Sequence, residues 1–208
     1  MKLKLIFSFI ALLIVLIGGL SIRNNSPIVP DEELLKDVTV LTSSYDGYSE
    51  LWRPHYELLF KNWPSLKEEH DFIPVMLITN ELKYEDSRVM SLSVGTDTTW
   101  SKNLLKALES VKTKYTFLLF DDYIISTPVD EKRFIELLTL LEETSGAYIE
   151  VIIDEGQFSY GHEKHKKFVT GIESVIYRSK GSACRNSLQA SIWNTEELRK
   201  LIDPKESA

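Results

Sequence analysis

One apolar segment that ends in two adjacent carboxylates constrains this chain more than any other feature. Residues 115–123 read Tyr-Thr-Phe-Leu-Leu-Phe-Asp-Asp-Tyr, so a run of aromatic and branched side chains stops at Asp121 and Asp122. Such a run is typical of a strand buried on both faces, the usual state of a central parallel strand. Ligands of open α/β sheets bind outside the carboxyl ends of these strands, so the acidic pair lies where a site is expected.

The acidic pair has two interpretations. Neighbouring carboxylates raise each other's pKa unless a positive charge lies nearby, and their hard oxygen atoms suit Mg²⁺ or Mn²⁺ with a diphosphate completing the shell. In the simpler interpretation, Asp121 and Asp122 only end a strand and begin a turn. We predict both residues as metal ligands.

Hydrophobic periodicity predicts alternating strands and helices along most of the chain. The predicted strands cover residues 38–42, 73–79, 89–93, 115–120 and 148–153, and the predicted helices cover 49–63, 100–111, 130–143 and 195–202. We expect Asp97 or Thr98 to cap the second helix and Gly146 to mark the end of the third. This order predicts an α/β fold, a layered domain with a mostly parallel central sheet flanked by helices.

The N-terminus predicts a membrane attachment. Lys2 and Lys4 precede an uncharged apolar run over residues 5–22, which Arg23 closes. We predict a signal anchor, a transmembrane helix over residues 1–23, with a cleaved signal peptide as the alternative. The polar residues 24–37 then form a stalk, and residues 38–208 form the folded domain. The basic excess places the N-terminus in the cytosol and the domain across the membrane.

Composition excludes several classes of function. The chain has 208 residues and a net charge of -7, with no basic block, so nucleic acid is not an expected partner. Cys184 is the single cysteine, which excludes an internal disulfide and a cysteine metal cluster. His162 and His165 lie among charged residues that are typical of a solvated segment.

Four segments together resemble a known family. They are Thr39–Tyr48 with Leu51 and Trp52, Trp100–Leu108, Tyr115–Tyr123, and Ser187–Trp193. In order and spacing they resemble the nucleotide-sugar glycosyltransferases of the GT-A fold, and the likeness covers most of residues 38–208. In that family the first strand and its loop hold the nucleotide, and an acidic motif after a central strand holds the metal and the sugar diphosphate.

The resemblance implies site residues at matching positions. Ser43, Ser44 and Asp46 would contact the nucleotide, while Asp121 and Asp122 would occupy the metal-binding place. The family's acidic motif is usually Asp-any-Asp, whereas the two carboxylates are adjacent here. This difference leaves open whether one or both of them reach the ion.

Further residues are candidates for contacts with the donor and the acceptor. Trp100 can stack on a base or sugar, and Gln189 can hydrogen-bond the donor or acceptor sugar, although packing of Trp100 at a helix start is the alternative. An inverting transfer needs a group that takes the proton of the acceptor hydroxyl. Asp154, Glu155 and Glu206 are the candidates, and the sequence does not choose among them.

The resulting hypothesis is a membrane-anchored, metal-dependent glycosyltransferase. It would use Mn²⁺ or Mg²⁺ and pass a sugar from a nucleotide sugar to a glycan, lipid or protein acceptor. It would face the Golgi lumen in a eukaryote and the cytosol in a bacterium. Members of the family continue beyond a segment like 206–208, so this chain is either a shortened relative or a C-terminally incomplete one. The alternative function is a catalytically silent glycan-binding or scaffolding module. A metal-dependent phosphohydrolase is a weaker third hypothesis.

Overall fold

The computed structural model describes residues 31–66, 73–96, 98–151, 166–167, 176–177 and 190–206. These residues form a mixed α/β fold. The strands are β1 (Val38–Ser43), β2 (Val75–Thr79), β3 (Met90–Ser93), β4 (Tyr115–Phe120), β5 (Tyr148–Glu150), β6 (Lys166–Lys167), β7 (Ile176–Tyr177) and β8 (Ser191–Asn194). The α-helices are α1 (Ser49–Asn62), α2 (Trp100–Leu108), α3 (Glu131–Thr144) and α4 (Thr195–Leu201).

Six strands form one sheet in the order β3-β2-β1-β4-β8-β5. The pairs β3–β2, β2–β1 and β1–β4 are parallel, which confirms the mostly parallel α/β sheet. Strand β8 runs antiparallel to both β4 and β5, a reversal that the sequence did not predict. Strand β5 therefore points in the same direction as β4. Strands β6 and β7 form a separate antiparallel pair.

Alternation along the strands divides the core between two faces of the sheet. In β4, Phe117 and Leu119 belong to the cluster that contains α1 and α3, whereas Leu118 belongs to the cluster that contains α2 and α4. Trp63 of the loop after α1 packs on Phe117 at 5.7 Å and on Phe134 of α3 at 5.0 Å between ring centroids. Burial of β4 on both sides explains the apolar run over residues 117–119. The buried polar residue of the strand, Thr116, exchanges a hydrogen bond with the Thr195 hydroxyl at 2.9 Å.

Residues 31–37, the polar segment before β1, are part of the folded domain. A 3-10 helix, Glu32–Asp37, begins at Asp31, whose carboxylate accepts the Glu33 N–H at 3.1 Å. The Asp31 N–H donates to Thr139 Oγ1 on α3 at 3.2 Å, and Leu35 is buried in the core. The folded domain therefore begins before Val38, because residues 31–37, predicted as the end of the stalk, are held by α3.

The predicted anchor over residues 1–23 and the first part of the stalk lie outside the described residues. In the part of the chain that the structure describes, every helix is too short or too polar to cross a bilayer.

Two predicted helix ends differ from the structure. Thr99 caps α2, because its hydroxyl accepts the Lys102 N–H at 3.2 Å, whereas Thr98 was predicted for this role and Asp97 lies outside the described residues. Helix α3 ends with Ser145 in the left-handed conformation (φ 49°), one residue before the predicted Gly146.

We predict that Leu118→Ala destabilises the domain by about 2–5 kcal/mol, because it leaves a cavity in the central strand. Leu118 is 0% exposed, whereas Leu82 is 48% exposed. The matched variant Leu82→Ala should change the free energy of unfolding by less than about 0.5 kcal/mol. Urea unfolding of the two variants makes the comparison, and equal losses would contradict this account of the core.

Candidate functional site

The candidate site lies at the carboxyl ends of β1 and β4. These strands pair in parallel from Val38↔Tyr115 to Ser43↔Phe120. The next residues, Ser44 and Asp121, therefore leave the sheet side by side. Two segments that are far apart in sequence are joined here by backbone register.

Asp121 is buried at this edge. Its side chain is 4% exposed, and it accepts a hydrogen bond from the Ser44 hydroxyl. The Trp52 indole N–H donates in turn to Ser44 Oγ at 2.7 Å. Burial raises the pKa of the Asp121 carboxyl and the charge of Asp122 adds to the rise, whereas the Ser44 hydrogen bond opposes it.

Asp122 is exposed, so the two adjacent carboxylates lie in different environments. A turn follows, in which the Tyr123 N–H donates to the Phe120 carbonyl at 3.1 Å. Burial raises the pKa of the Tyr123 phenol, and the charges of Asp122 and Glu150 raise it further. Glu150 ends β5, so this third carboxylate lies near the same turn. Asp122 is the member of the acidic pair that a ligand can reach.

An aromatic row, consisting of Trp100, Phe120 and Tyr123, lies beside the acidic turn. Trp100 stacks on Phe120 with ring centroids 6.3 Å apart and an interplanar angle of 20°, and Phe120 lies 6.0 Å from Tyr123. The Trp100 indole N–H donates to Ser43 Oγ at 3.0 Å, which fixes the ring at the end of β1. All three side chains are half-buried, so the row presents ring surface at the sheet edge.

Asp46 holds the loops after β1 and β2 together. Its carboxylate accepts three backbone N–H groups, from Asn80 at 2.8 Å, Glu81 at 2.9 Å and Leu82 at 3.1 Å. The Asp46 N–H donates to Asn80 Oδ1 at 3.1 Å in return. Asp46 was predicted to contact the nucleotide. In the structure it connects the loops after β1 and β2, a role that the sequence did not reveal.

Asn80 extends this connection to the end of β3. Its side chain donates to the Gly95 carbonyl at 3.2 Å, and the Gly95 N–H donates back to the Asn80 carbonyl at 2.9 Å. Gly95 has a φ of +81°, a conformation that disfavours side chains with a Cβ atom. The three loops at this edge are therefore joined by hydrogen bonds.

His55 lies under the acidic turn. It is 1% exposed, and its Nε2 lies 3.3 Å from Thr42 Oγ1, while Nδ1 has no hydrogen-bond partner within the described residues. Burial lowers the pKa of His55 to about 4, and the backbone groups of Tyr123 and Asp121 and the charge of Asp122 oppose this shift. The imidazole is therefore neutral at pH 7.

The structure does not bring every predicted residue to this edge. Asp154, Glu155 and Gln189 lie outside the described residues. Glu206 is exposed and follows α4, whose Arg199 donates to the carbonyls of Leu108 and Val111 near the amino end of β4. The Glu206 N–H donates to the Asp203 carbonyl at 3.0 Å, and its side chain lies on the surface. Two surface depressions, one beside Phe60 and Arg88 and one beside Leu35 and Ile135, have no predicted site residue among the described residues that line them.

The donor chemistry at the end of β4 fits a cation that a substrate helps to hold. Within the described ranges, no three histidine, cysteine, aspartate or glutamate side chains group closely enough to hold an ion alone. Magnesium commonly uses one or two carboxylates together with substrate phosphates. Asp122 offers an exposed carboxylate for this purpose, whereas one oxygen of Asp121 already accepts the Ser44 hydroxyl.

Sequence reasoning missed three residues that organise the site: Trp52, His55 and Asn80. Trp52 and His55 lie three residues apart on α1, on the stripe that faces the sheet. Their spacing was a detectable signal, but it indicated core packing only. Their partners Ser44 and Thr42 lie at the end of β1, so the contacts depend on how α1 packs against that strand.

Comparisons with known proteins identify no family: no family model matches the chain, and no curated protein matches it. Among solved structures, the chain is similar to the mannosyltransferase PcManGT from Pyrobaculum calidifontis in complex with GDP-Man and Mn²⁺, with a TM-score of 0.44 and 12% identity over 60% of this chain and 38% of that one. It is also similar to the bifunctional IspDF from Campylobacter jejuni, with a TM-score of 0.42 and 14% identity over 81% of this chain and 43% of that one.

In both comparisons, the chain covers less than half of the other protein's length. Likenesses at these scores carry no argument about function.

We predict that Asp46→Ala lowers the free energy of unfolding by about 1–3 kcal/mol, because three backbone N–H groups lose a charged acceptor. The loops after β1 and β2 should then exchange their amide hydrogens faster, which hydrogen exchange at Asn80, Glu81 and Leu82 would measure. Glu81→Ala is the matched control, since it removes an exposed carboxylate but keeps the backbone donor. Unchanged exchange in Asp46→Ala would contradict the assigned role.

We predict that His55 makes the domain less stable as the pH falls from about 6.5 to about 4. The unfolded histidine binds a proton below about pH 6.5, whereas the buried one stays neutral down to about pH 4. The stability present above pH 6.5 is lost over this range, by about 3 kcal/mol. Urea unfolding of His55→Phe between pH 7 and pH 4 should show a shallower pH dependence. If the free energy of unfolding depends on pH equally in both proteins, the pKa of His55 is the same in the folded and unfolded states, and the prediction is wrong.

Proposed function

We propose that the protein is a glycosyltransferase that binds a nucleotide sugar together with Mn²⁺ or Mg²⁺ and transfers the sugar to a glycan, lipid or protein acceptor. The observation that carries the proposal is the shared carboxyl edge of β1 and β4. It brings Ser43 and Ser44 next to Asp121 and Asp122 and places an aromatic row beside them. Open parallel sheets bind phosphorylated ligands at this kind of edge.

Asp122 would hold the cation, because its carboxylate is exposed at the end of β4. Asp121 would set the position of the turn from beneath, since its carboxylate is buried and bonded to Ser44. When bound, the cation stabilises the negative charge that develops on the leaving diphosphate. The predicted roles of the two aspartates are therefore unequal in this proposal.

The aromatic row would bind the flat parts of the donor. Trp100 is anchored by Ser43 and backed by Phe120, so its ring position is set before any ligand arrives. A preorganised ring stacks on a base or on the apolar face of a sugar without losing further side-chain freedom. Gln189 remains a proposed contact of the sugar.

The group that takes the acceptor proton is proposed among the residues after β5. This strand runs in the same direction as β4 and ends at Glu150, so its carboxyl end faces the acidic turn. Asp154 and Glu155 follow it in the sequence and stay as candidates. Glu206, which follows α4, stays as a third candidate.

Membrane attachment belongs to the proposal. The apolar residues 5–22, between Lys4 and Arg23, would anchor the protein, and the domain would follow after a short tether. The proposed location is a membrane, with the domain in the Golgi lumen of a eukaryote or on the cytosolic face in a bacterium.

We predict that the full-length chain binds a nucleoside diphosphate in the presence of Mn²⁺, with ADP, GDP and UDP as probes in isothermal titration calorimetry. Asp122→Asn should weaken the best of these affinities at least about tenfold, which corresponds to about 1.4 kcal/mol. Asp121→Asn should have a smaller effect on affinity and a larger effect on stability, because its carboxylate is buried.

Glu109→Gln is the matched control, since it neutralises an exposed carboxylate at the end of α2, before β4 begins, and should leave the affinity unchanged. The proposal fails if none of the three nucleotides binds with Mn²⁺ present. It also fails if Asp122→Asn binds as tightly as the unaltered chain.

A further inference from the structure

Trp52 forms the first link of a hydrogen-bonded chain that ends at Asp121. Its indole N–H donates to Ser44 Oγ at 2.7 Å, and the Ser44 hydroxyl donates to Asp121 Oδ2. Trp52 is 3% exposed and belongs to the core cluster on the α1 face of the sheet. The indole is therefore held in the core, and the serine that bonds Asp121 accepts its N–H.

The Ser44 hydroxyl has one proton and two acceptors within reach. Besides Asp121, the Tyr45 carbonyl lies 3.4 Å from Ser44 Oγ. Donation from Trp52 occupies one lone pair of Ser44 Oγ, which leaves fewer orientations for the proton. A bond to a charged acceptor is also stronger than a bond to a neutral carbonyl at the edge of hydrogen-bonding distance. Both effects direct the hydroxyl to Asp121.

We infer that Trp52 is a positioning residue of the candidate site, which orients Asp121 through the Ser44 hydroxyl and thereby holds the turn that presents Asp122. This inference rests on the proposed function, since it assigns Asp122 to the ligand. Trp52 itself is too buried to touch a nucleotide. With Trp52 in this role, Ser44 orients Asp121 and does not itself bind the nucleotide, which differs from its predicted role.

Trp63 provides a matched comparison. It lies in the same core cluster and is 0% exposed, but its indole N–H has no hydrogen-bond partner in the described part of the chain. Trp52→Phe and Trp63→Phe therefore both replace a buried indole by a smaller ring. Only Trp52→Phe removes a donor that is connected to the candidate site.

The first experiment measures the affinity of the full-length chain for the best-binding nucleoside diphosphate with Mn²⁺. Trp52→Phe should weaken it about twofold to tenfold, the size expected for one hydrogen bond. In a Ser44→Ala background the same substitution should have no further effect, because its route to Asp121 is already cut. Trp63→Phe should lower stability and leave the affinity unchanged in both backgrounds. Independent, multiplying effects of Trp52→Phe and Ser44→Ala would overturn the inference.

The second experiment separates this inference from the proposed function. The chain contains four tryptophans, so the indole N–H resonances of the ¹⁵N-labelled full-length protein can be assigned one by one. Asp121→Asn should shift the Trp52 indole resonance and leave that of Trp63 in place. If no nucleotide binds the unaltered chain, the proposed function fails, and this shift alone decides the inference. If the Trp52 indole resonance keeps its chemical shift in both Asp121→Asn and Ser44→Ala, the inference is overturned.

Discussion

Strands β1 and β4 pair in parallel over six residues each, and the remaining features of the candidate site depend on this register. It sets Ser43 beside Phe120 and therefore Ser44 beside Asp121. A shift of one residue would turn every side chain of β4 to the opposite face, which would place Leu118 among the α1 and α3 side chains and move Asp121 away from Ser44. Burial of β4 on both faces makes such a shift costly. The core thus fixes the geometry of the edge.

Two adjacent aspartates acquire different properties from this arrangement. The Asp121 side chain is buried, and burial together with the charge of Asp122 raises the pKa of its carboxyl. The hydrogen bond from Ser44 lowers this pKa and so offsets part of the rise. Asp122 is exposed, so water screens its charge and a ligand can reach it. A similar division occurs at Ser43 and Ser44, which accept indole N–H groups from Trp100 and Trp52. Consecutive residues that leave a strand point to opposite faces, so α2 secures one serine and α1 the other.

Much of the fold could be predicted because the signals are local. Apolar runs predicted β1, β2 and β4 within a few residues, and periodic leucines predicted α2 and α3. The position of β8 between β4 and β5, and its antiparallel direction, could not be predicted, because Ser191–Asn194 is short and its partners Tyr115 and Tyr148 are distant in sequence. The start of α2 was predicted less accurately than its body. Thr98 and Thr99 have similar capping propensities, and only the backbone conformation distinguishes them.

The sequence by itself determined that Asp121 and Asp122 follow a buried central strand, because a continuous apolar run and an abrupt change to charge are properties of the chain alone. Tertiary structure decided which of the two carboxylates is buried, since that depends on the neighbours that β1 and α1 provide. It also decided that Asp46 connects the loops after β1 and β2. Burial and hydrogen bonding between distant segments arise only when the strands pair, so residue type and spacing do not encode them separately.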